Sequence, residues 1–337
     1  MDAIFNPVGD APNVWHPADA REAYLLKRRL GRQAVYVAGG TLLRTEWEAG
    51  SRSVSPHWID LQRAAGMGEV FMQTGGLCIG SQVTLGTCRK HPTLTSLYPL
   101  VGKAIRCTAA PSVRNVATLG GNVCSGVGDV LPSLLLYDAE LVWQNEQGRE
   151  APLPLREWLE LRAAGALDPD RILLAIRLPE RADESGIRQA SGGDDALPSL
   201  LRIEVYHKVG RREAFSPSLV TTAVSAEIDA AGCFRQVKIA AGGGKAMPAR
   251  LGALEAWLVG SKADLSRLPD VYERVMEEYQ PAGDIFAGES YRRKTAASLI
   301  AADLWQLLQQ TASEGGGRYA EPIQQRNALE GPSGRPG

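Results

Sequence analysis

The chain has 337 residues, a formal net charge of −1, 44% hydrophobic and 22% charged residues. That length suits more than one core, and the balance is that of an ordinary globular protein. A near-neutral charge gives no global field toward nucleic acid or an anionic membrane, and no apolar run approaches the ~20 residues of a membrane-spanning helix. The opening MDAIFNPVGDAPNVWHPADA lacks the basic and apolar regions of a secretion signal. A cytoplasmic location is expected, or a periplasmic one if a partner carries the export signal.

In chain order, residues 17–30 predict a helix, with Pro17 in its first turn and Gly31 as its stop. AVYVA (34–38) predicts a buried strand running into Gly39-Gly40. WIDL (58–61) and LCIG (77–80) predict short strands. Residues 84–106 predict helix broken near Pro92 and Pro99, and 112–122 a turn-rich segment. Residues 132–144 predict a short helix leading into a strand, and 171–179 a strand ended by proline. Residues 181–199 are polar and rich in Gly, Asp and Ser, as in a linker. Beyond it, 201–209, 218–229 and 233–242 predict strands, and 248–260 and 290–309 amphipathic helices. Residues 311–337 lack apolar periodicity and predict a flexible tail.

The five cysteines form no CxxC pair and the four histidines are scattered. That argues against a disulfide framework and against a metal or cluster held by this chain, and predicts Cys124 as a packed thiol. Trp143, Trp158 and Trp257 are expected in the core or at an interface.

Glycine is the outlier, at 36 residues, much of it in doublets and triplets. The dinucleotide fingerprint GxGxxG is absent: after Gly66-Met67-Gly68 and Gly126-Val127-Gly128 the third glycine position holds Phe71 and Leu131. GGGK at 242–245 fails as a P-loop, with Ile239 and Ala246 at its required positions. Two loops remain. Val37-Ala38-Gly39-Gly40-Thr41 follows a strand, where glycines let successive N–H groups converge on anionic oxygens. Thr118-Leu119-Gly120-Gly121-Asn122 is the second, with Asp129 shortly after it. Two such loops suit the two phosphates of a dinucleotide, while either alone reads equally as a tight turn.

YVAGGTLL (36–43), RNVATLGGN (114–122), RILLAIRLP (171–179), VYHKVGRREAF (205–215) and IAAGGGKAMPAR (239–250) occur in an order that resembles the FAD-binding subunits of the xanthine dehydrogenase and carbon monoxide dehydrogenase family of molybdenum hydroxylases. The resemblance covers about residues 10–305, and RNVATLGGN is its most specific piece. It implies an α+β fold: a two-subdomain FAD-binding domain of PCMH type over 1–180, the linker 181–199, and an α+β C-terminal flavoprotein domain over 200–310. It implies FAD in this chain, a molybdopterin-binding large partner, and a small partner carrying [2Fe–2S] clusters. Electrons would pass between those clusters and an external acceptor such as NAD, oxygen, a quinone or a carrier protein.

By the same resemblance, Tyr36, Val37, Ala38, Gly39, Gly40, Thr41, Leu42 and Leu43 would wrap the pyrophosphate. Thr118, Leu119, Gly120, Gly121 and Asn122 would form the second phosphate loop, with Asp129 at the ribityl or phosphate region. Thr108 stands where some relatives place a ring-stacking aromatic, Leu173 matches a residue packing on the flavin, and Lys208 one near its exposed edge. Leu42 replaces a polar residue, VCSGVGD (123–129) is short, and Thr108 is not aromatic. Two alternatives stand beside this reading: a stand-alone FAD-dependent oxidase or reductase with the same domain type, and, motivated by Leu42 and the short loop, a scaffold that has lost FAD.

Overall fold

The computed structural model describes residues 11–181, 200–210, 218–244 and 246–314. Most of the expected linker, the last part of VYHKVGRREAF, Lys245 and residues from 315 onward lie outside the described residues.

The chain begins with β1 (Asn13–Trp15), α1 (Ala20–Leu30), β2 (Ala34–Val37), α2 (Thr41–Glu48) and β3 (His57–Asp60). The three strands make a parallel sheet in the order β1-β3-β2. α1 starts later than expected, because Asp19 rather than Pro17 opens it: the Asp19 carboxylate accepts from Glu22 N at 2.8 Å. Gly31, at φ 58°, stops it.

A second unit follows. β4 (Val70–Gln73) and β5 (Gly76–Gly80) form a hairpin. Six short helices come next: α3 (Leu85–Lys90), α4 (Pro92–Leu97), α5 (Pro99–Cys107), α6 (Pro111–Arg114), α7 (Leu119–Cys124) and α8 (Leu131–Leu136). Pro92 and Pro99 do break the helical run, each occupying the first position of the next helix. The segment expected as turns is instead α6 and α7, since Thr118 caps α7 through Gly121 N at 3.0 Å. Then come β6 (Glu140–Asn145), β7 (Gly148–Arg149), β8 (Leu153–Pro154), α9 (Leu155–Ala163) and β9 (Ile172–Pro179). The sheet order is β4-β5-β9-β6-β7, with β8 on β6. Its core holds Trp143 stacked on Trp158, ring centroids 5.9 Å apart.

The C-terminal unit is an antiparallel meander of β10 (Leu200–Gly210), β11 (Ser218–Asp229), β12 (Phe234–Gly243) and β13 (Ala246–Arg250). α10 (Gly252–Leu258), α11 (Leu268–Glu278) and α12 (Glu289–Glu314) complete it. Residues 248–250, expected as the start of a helix over 248–260, belong instead to β13, which pairs with β12. One sheet face packs Ile203, Val224, Ala226 and Ile239 with the three helices. From the other face Tyr206, Ala223 and Ala240 join the core of the second unit, so the sheet is covered on both sides. Trp257 is half-buried, between the guanidinium groups of Arg267 and Arg274 at 4.9 and 4.3 Å from its ring centroid.

α12 is anchored by Arg292, whose side chain is 0% exposed. Nη2 donates to Asp284 Oδ2 at 2.6 Å and Nη1 to the Leu219 carbonyl. Burial alone would raise the Asp284 pKa, but the amides of Phe286 and Ala287 and the Arg292 charge outweigh it and hold the carboxyl below its usual value. A depressed carboxylate pKa stabilises the fold above the ordinary carboxylate range, and that contribution is lost as pH falls through the folded value. Asp284→Ala is therefore expected to cost about 3 kcal/mol in urea unfolding at neutral pH, by stranding a buried guanidinium. The gap from the unsubstituted protein should narrow below about pH 4.

Candidate functional site

The two glycine loops meet. Gly39 lies against the 116–117 backbone so closely that a Cβ there would stand 2.1 Å from Val116 O and 2.9 Å from Ala117 Cα. Gly40, at φ 64°, turns the chain from β2 into α2, and no side chain caps that helix. Its first-turn amides therefore face outward from a bare N-terminus, next to the second loop.

The second loop is stitched to the end of β5. Gly120 N donates to Ser81 O, Leu119 N to Val83 O and Leu85 N to Ala117 O, at 2.8–2.9 Å. A Cβ on Gly120 would stand 2.5 Å from both Ser81 Cβ and Ser81 O. Ser81 itself is buried, and its hydroxyl has no hydrogen-bond partner. Leu42 and Val116, on these two segments, are 46% and 50% exposed.

The remaining candidates divide. Tyr36 turns away from the loops: its hydroxyl donates to Asp170 O at 2.8 Å, and burial, aided by Asp170, pushes the phenol pKa upward. Val37 is tied through its carbonyl to Leu61 N, and Thr41 through its carbonyl to the Thr45 hydroxyl. Ala38 and Leu43 are half-buried. Asn122 spans the short loop that follows it, its Oδ1 accepting from Val130 N at 3.3 Å and filling the space beside Gly128. Leu173 lies in the main core opposite Trp143. Thr108 is buried at the end of α5, donating to Ala104 O at 2.9 Å. Cys124, expected as a packed thiol, is exposed.

Lys208 and Asp129 come together although 79 residues apart, Nζ to Oδ2 at 2.7 Å, with side chains 6% and 14% exposed. Lys208 also donates to Cys107 O at 3.0 Å, and the Tyr206 hydroxyl to Asp129 O at 2.7 Å. The charge on Lys208 is thus neutralised locally, in a tie between β10 and the end of α5. Sequence reasoning did not single out Ser81 or Arg114. Arg114 Nη1 reaches the carbonyls of Thr108 and Ala109 at 3.0 and 2.5 Å. Its place in RNVATLGGN was the only available signal.

These parts fit a dinucleotide with a negative diphosphate: a bare helix N-terminus, two loops in contact, and an orphaned buried hydroxyl beside one of them. The class of protein so defined is a two-loop dinucleotide-binding protein rather than a Rossmann protein. The family models agree. Residues 8–181 match the FAD binding domain in molybdopterin dehydrogenase, and residues 204–305 the CO dehydrogenase flavoprotein C-terminal domain. The chain belongs to this family, the FAD-binding oxidoreductase subunits of molybdenum hydroxylases.

Among its relatives, the xanthine dehydrogenase FAD-binding subunit of Escherichia coli O157:H7 is 25% identical over 77% of this chain and 84% of its own length. The carbon monoxide dehydrogenase medium chain of Hydrogenophaga pseudoflava is 27% identical over 50% of this chain and 59% of its own. A solved carbon monoxide dehydrogenase from that organism, lacking the Mo-pyranopterin moiety of its cofactor, has a chain of the same fold. The TM-score is 0.74 at 20% identity, over 89% of this chain and 99% of that one.

Gly39→Ala and Gly120→Ala should each cost about 2 kcal/mol, because backbone must move to admit the methyl group. Gly68→Ala, where nothing lies within 4 Å, should stay within about 0.5 kcal/mol in the same urea titration. Lys208→Met should destabilise by about 3 kcal/mol by leaving Asp129 buried and unpaired. Lys208→Met with Asp129→Leu should recover most of that loss, and an additive double variant would show that the pair is not coupled.

Proposed function

We propose that this chain relays electrons between [2Fe–2S] clusters on a partner subunit and an external acceptor, within a molybdenum hydroxylase whose large subunit carries molybdopterin. The observation that carries the reading is the contact of Gly39 with Val116 and Ala117, which makes one cradle of two separated loops. In this reading the backbone at Gly39, Gly40 and Thr41 holds the FAD diphosphate, and the loop at Gly120 and Gly121, whose amides already bond Ser81 O and Thr118 Oγ1, walls the cradle on its other side. Ser81 supplies a hydroxyl beside the second loop. Thr108 and the neighbouring turn border the ring end, and Asp129, held by Lys208 and Tyr206, closes that end from the C-terminal side.

Bound there, an isoalloxazine supplies one- and two-electron redox chemistry, which is what a relay between single-electron clusters and a two-electron acceptor requires. The protein's own work is to bind and orient, so no acid–base side chain is assigned. Lys208 is charge-paired with Asp129, and its part is structural docking more than a field on the ring. No helix among the described residues is long and apolar enough to cross a membrane.

The test is purification of the full chain with its co-expressed neighbours. The expected preparation shows oxidised-flavin absorbance at about one FAD per chain. It also brings down a [2Fe–2S] protein and a molybdopterin protein. A folded chain that stays colourless in excess FAD removes the cofactor reading. A flavin-loaded chain that takes no partner and turns over alone favours the stand-alone oxidase.

A further inference from the structure

Arg114 ends α6, and its main chain leads into the segment that leans on Gly39. Its side chain runs the other way, to the turn after α5. There Nη1 donates to Arg106 O at 3.3 Å, Thr108 O at 3.0 Å and Ala109 O at 2.5 Å. The intervening carbonyl, Cys107 O, accepts from Lys208 Nζ at 3.0 Å. A helix C-terminus leaves its last carbonyls without intrahelical partners. Here four successive ones, 106 to 109, are gathered by two cations arriving from different parts of the chain. The partners described for the Arg114 side chain are all main-chain carbonyls.

The turn needs holding. Ala109 has φ 50°, a conformation that residues with a Cβ rarely adopt. α5 does not depend on it: Leu100, Val101, Ala104 and Ile105 are fully buried in the main core whatever the turn does. Losing the guanidinium should therefore loosen the turn and leave the helix in place.

We infer that Arg114 is a positioning residue that fixes the ring end of the cofactor relative to its phosphate end. The inference rests on the FAD reading above. FAD joins its ring to its diphosphate through a flexible ribityl chain, so the protein must set the relation between the two ends. Arg114 links both halves of the cradle: its main chain leads into the Val116–Ala117 segment against Gly39, and its side chain holds carbonyls of the turn at 106–109. All three contacts come from Nη1, which the rigid guanidinium plane holds in place, whereas a lysine ammonium is a compact point donor on a flexible stem.

The experiment uses the full chain, stripped of flavin and titrated with FAD. FAD affinity, the visible circular dichroism of the bound flavin and the far-ultraviolet spectrum are recorded. Arg114→Ala should keep the far-ultraviolet spectrum, weaken FAD by about tenfold, as for lost charge-assisted hydrogen bonds, and flatten the flavin dichroism. Arg114→Lys should fall between. Adding Ala109→Gly to Arg114→Ala should recover about threefold in affinity, because glycine adopts the positive φ without help. An arginine acting elsewhere than on this turn would not be rescued by a glycine five residues away within it.

Wild-type affinity and dichroism in Arg114→Ala would overturn the inference, as would a loss that Ala109→Gly does not relieve. If Arg114→Ala does not fold, Arg114→Lys decides, and unaltered binding and dichroism there overturn it equally. An unsubstituted chain that binds no FAD sinks the cofactor reading itself, and this inference with it.

Discussion

At Gly39 two stretches of backbone approach so closely that no side chain fits between them, and the rest of the site is arranged around that approach. The segment that leans on Gly39 is itself tied to the end of β5 through Leu85 N, Leu119 N and Gly120 N. A chain of main-chain bonds thus runs from the parallel three-stranded sheet, across the glycine contact, to the larger antiparallel sheet. Main-chain donors placed this way carry no rotamer entropy of their own, so the cradle is fixed before any ligand arrives. The N-terminus of α2, which no side chain caps, begins at Thr41, two residues beyond that contact.

The second constraint is electrostatic. An ammonium group that is 6% exposed requires a partner, and Lys208 finds Asp129 and a helix-terminal carbonyl together. The C-terminal sheet is thereby tied to the turn after α5 through one side chain, steadied by the Tyr206 hydroxyl on the Asp129 carbonyl. A second buried knot repeats the device farther along β10: Glu204 accepts from Arg181, Arg202 and Tyr137 at 2.8–3.0 Å. Both knots set charges from β10 against groups of the preceding unit. The interface is thus specified by direction as well as by apolar area.

Much of the meander was legible because β10 to β12 are long runs of strand-forming residues bounded by breaks, and periodicity is strongest in such runs. Residues 41–48 gave no helix signal: TLLRTEWE is short, follows two glycines, and has no fully buried residue. α7 was hidden by Gly120-Gly121, poor helix formers, of which Gly120 is used because a side chain there would strike Ser81. Residues 248–250 read as the start of a helix, yet β13 folds back onto β12 after the positive-φ Gly243 and Gly244. The glycine loops themselves were legible from resemblance and spacing. What could not be read was pairing at a distance: neither Lys208 with Asp129 nor Gly39 with Val116 leaves any local pattern.

Those long-range pairings also bear on why the C-terminal unit is present at all. Its sheet has no solvent face, since Tyr206, Ala223 and Ala240 complete the core on one side while the three helices cover the other. Removing it would uncover the apolar surface of α5 and α8 and release Cys107 O and Asp129 from Lys208. The turn at 106–109 would then keep only Arg114 among its two cations. An element remote in sequence from both glycine loops is therefore part of how the turn after α5 holds its shape. The physical reason is that a helix terminus buried against another sheet must find its donors there.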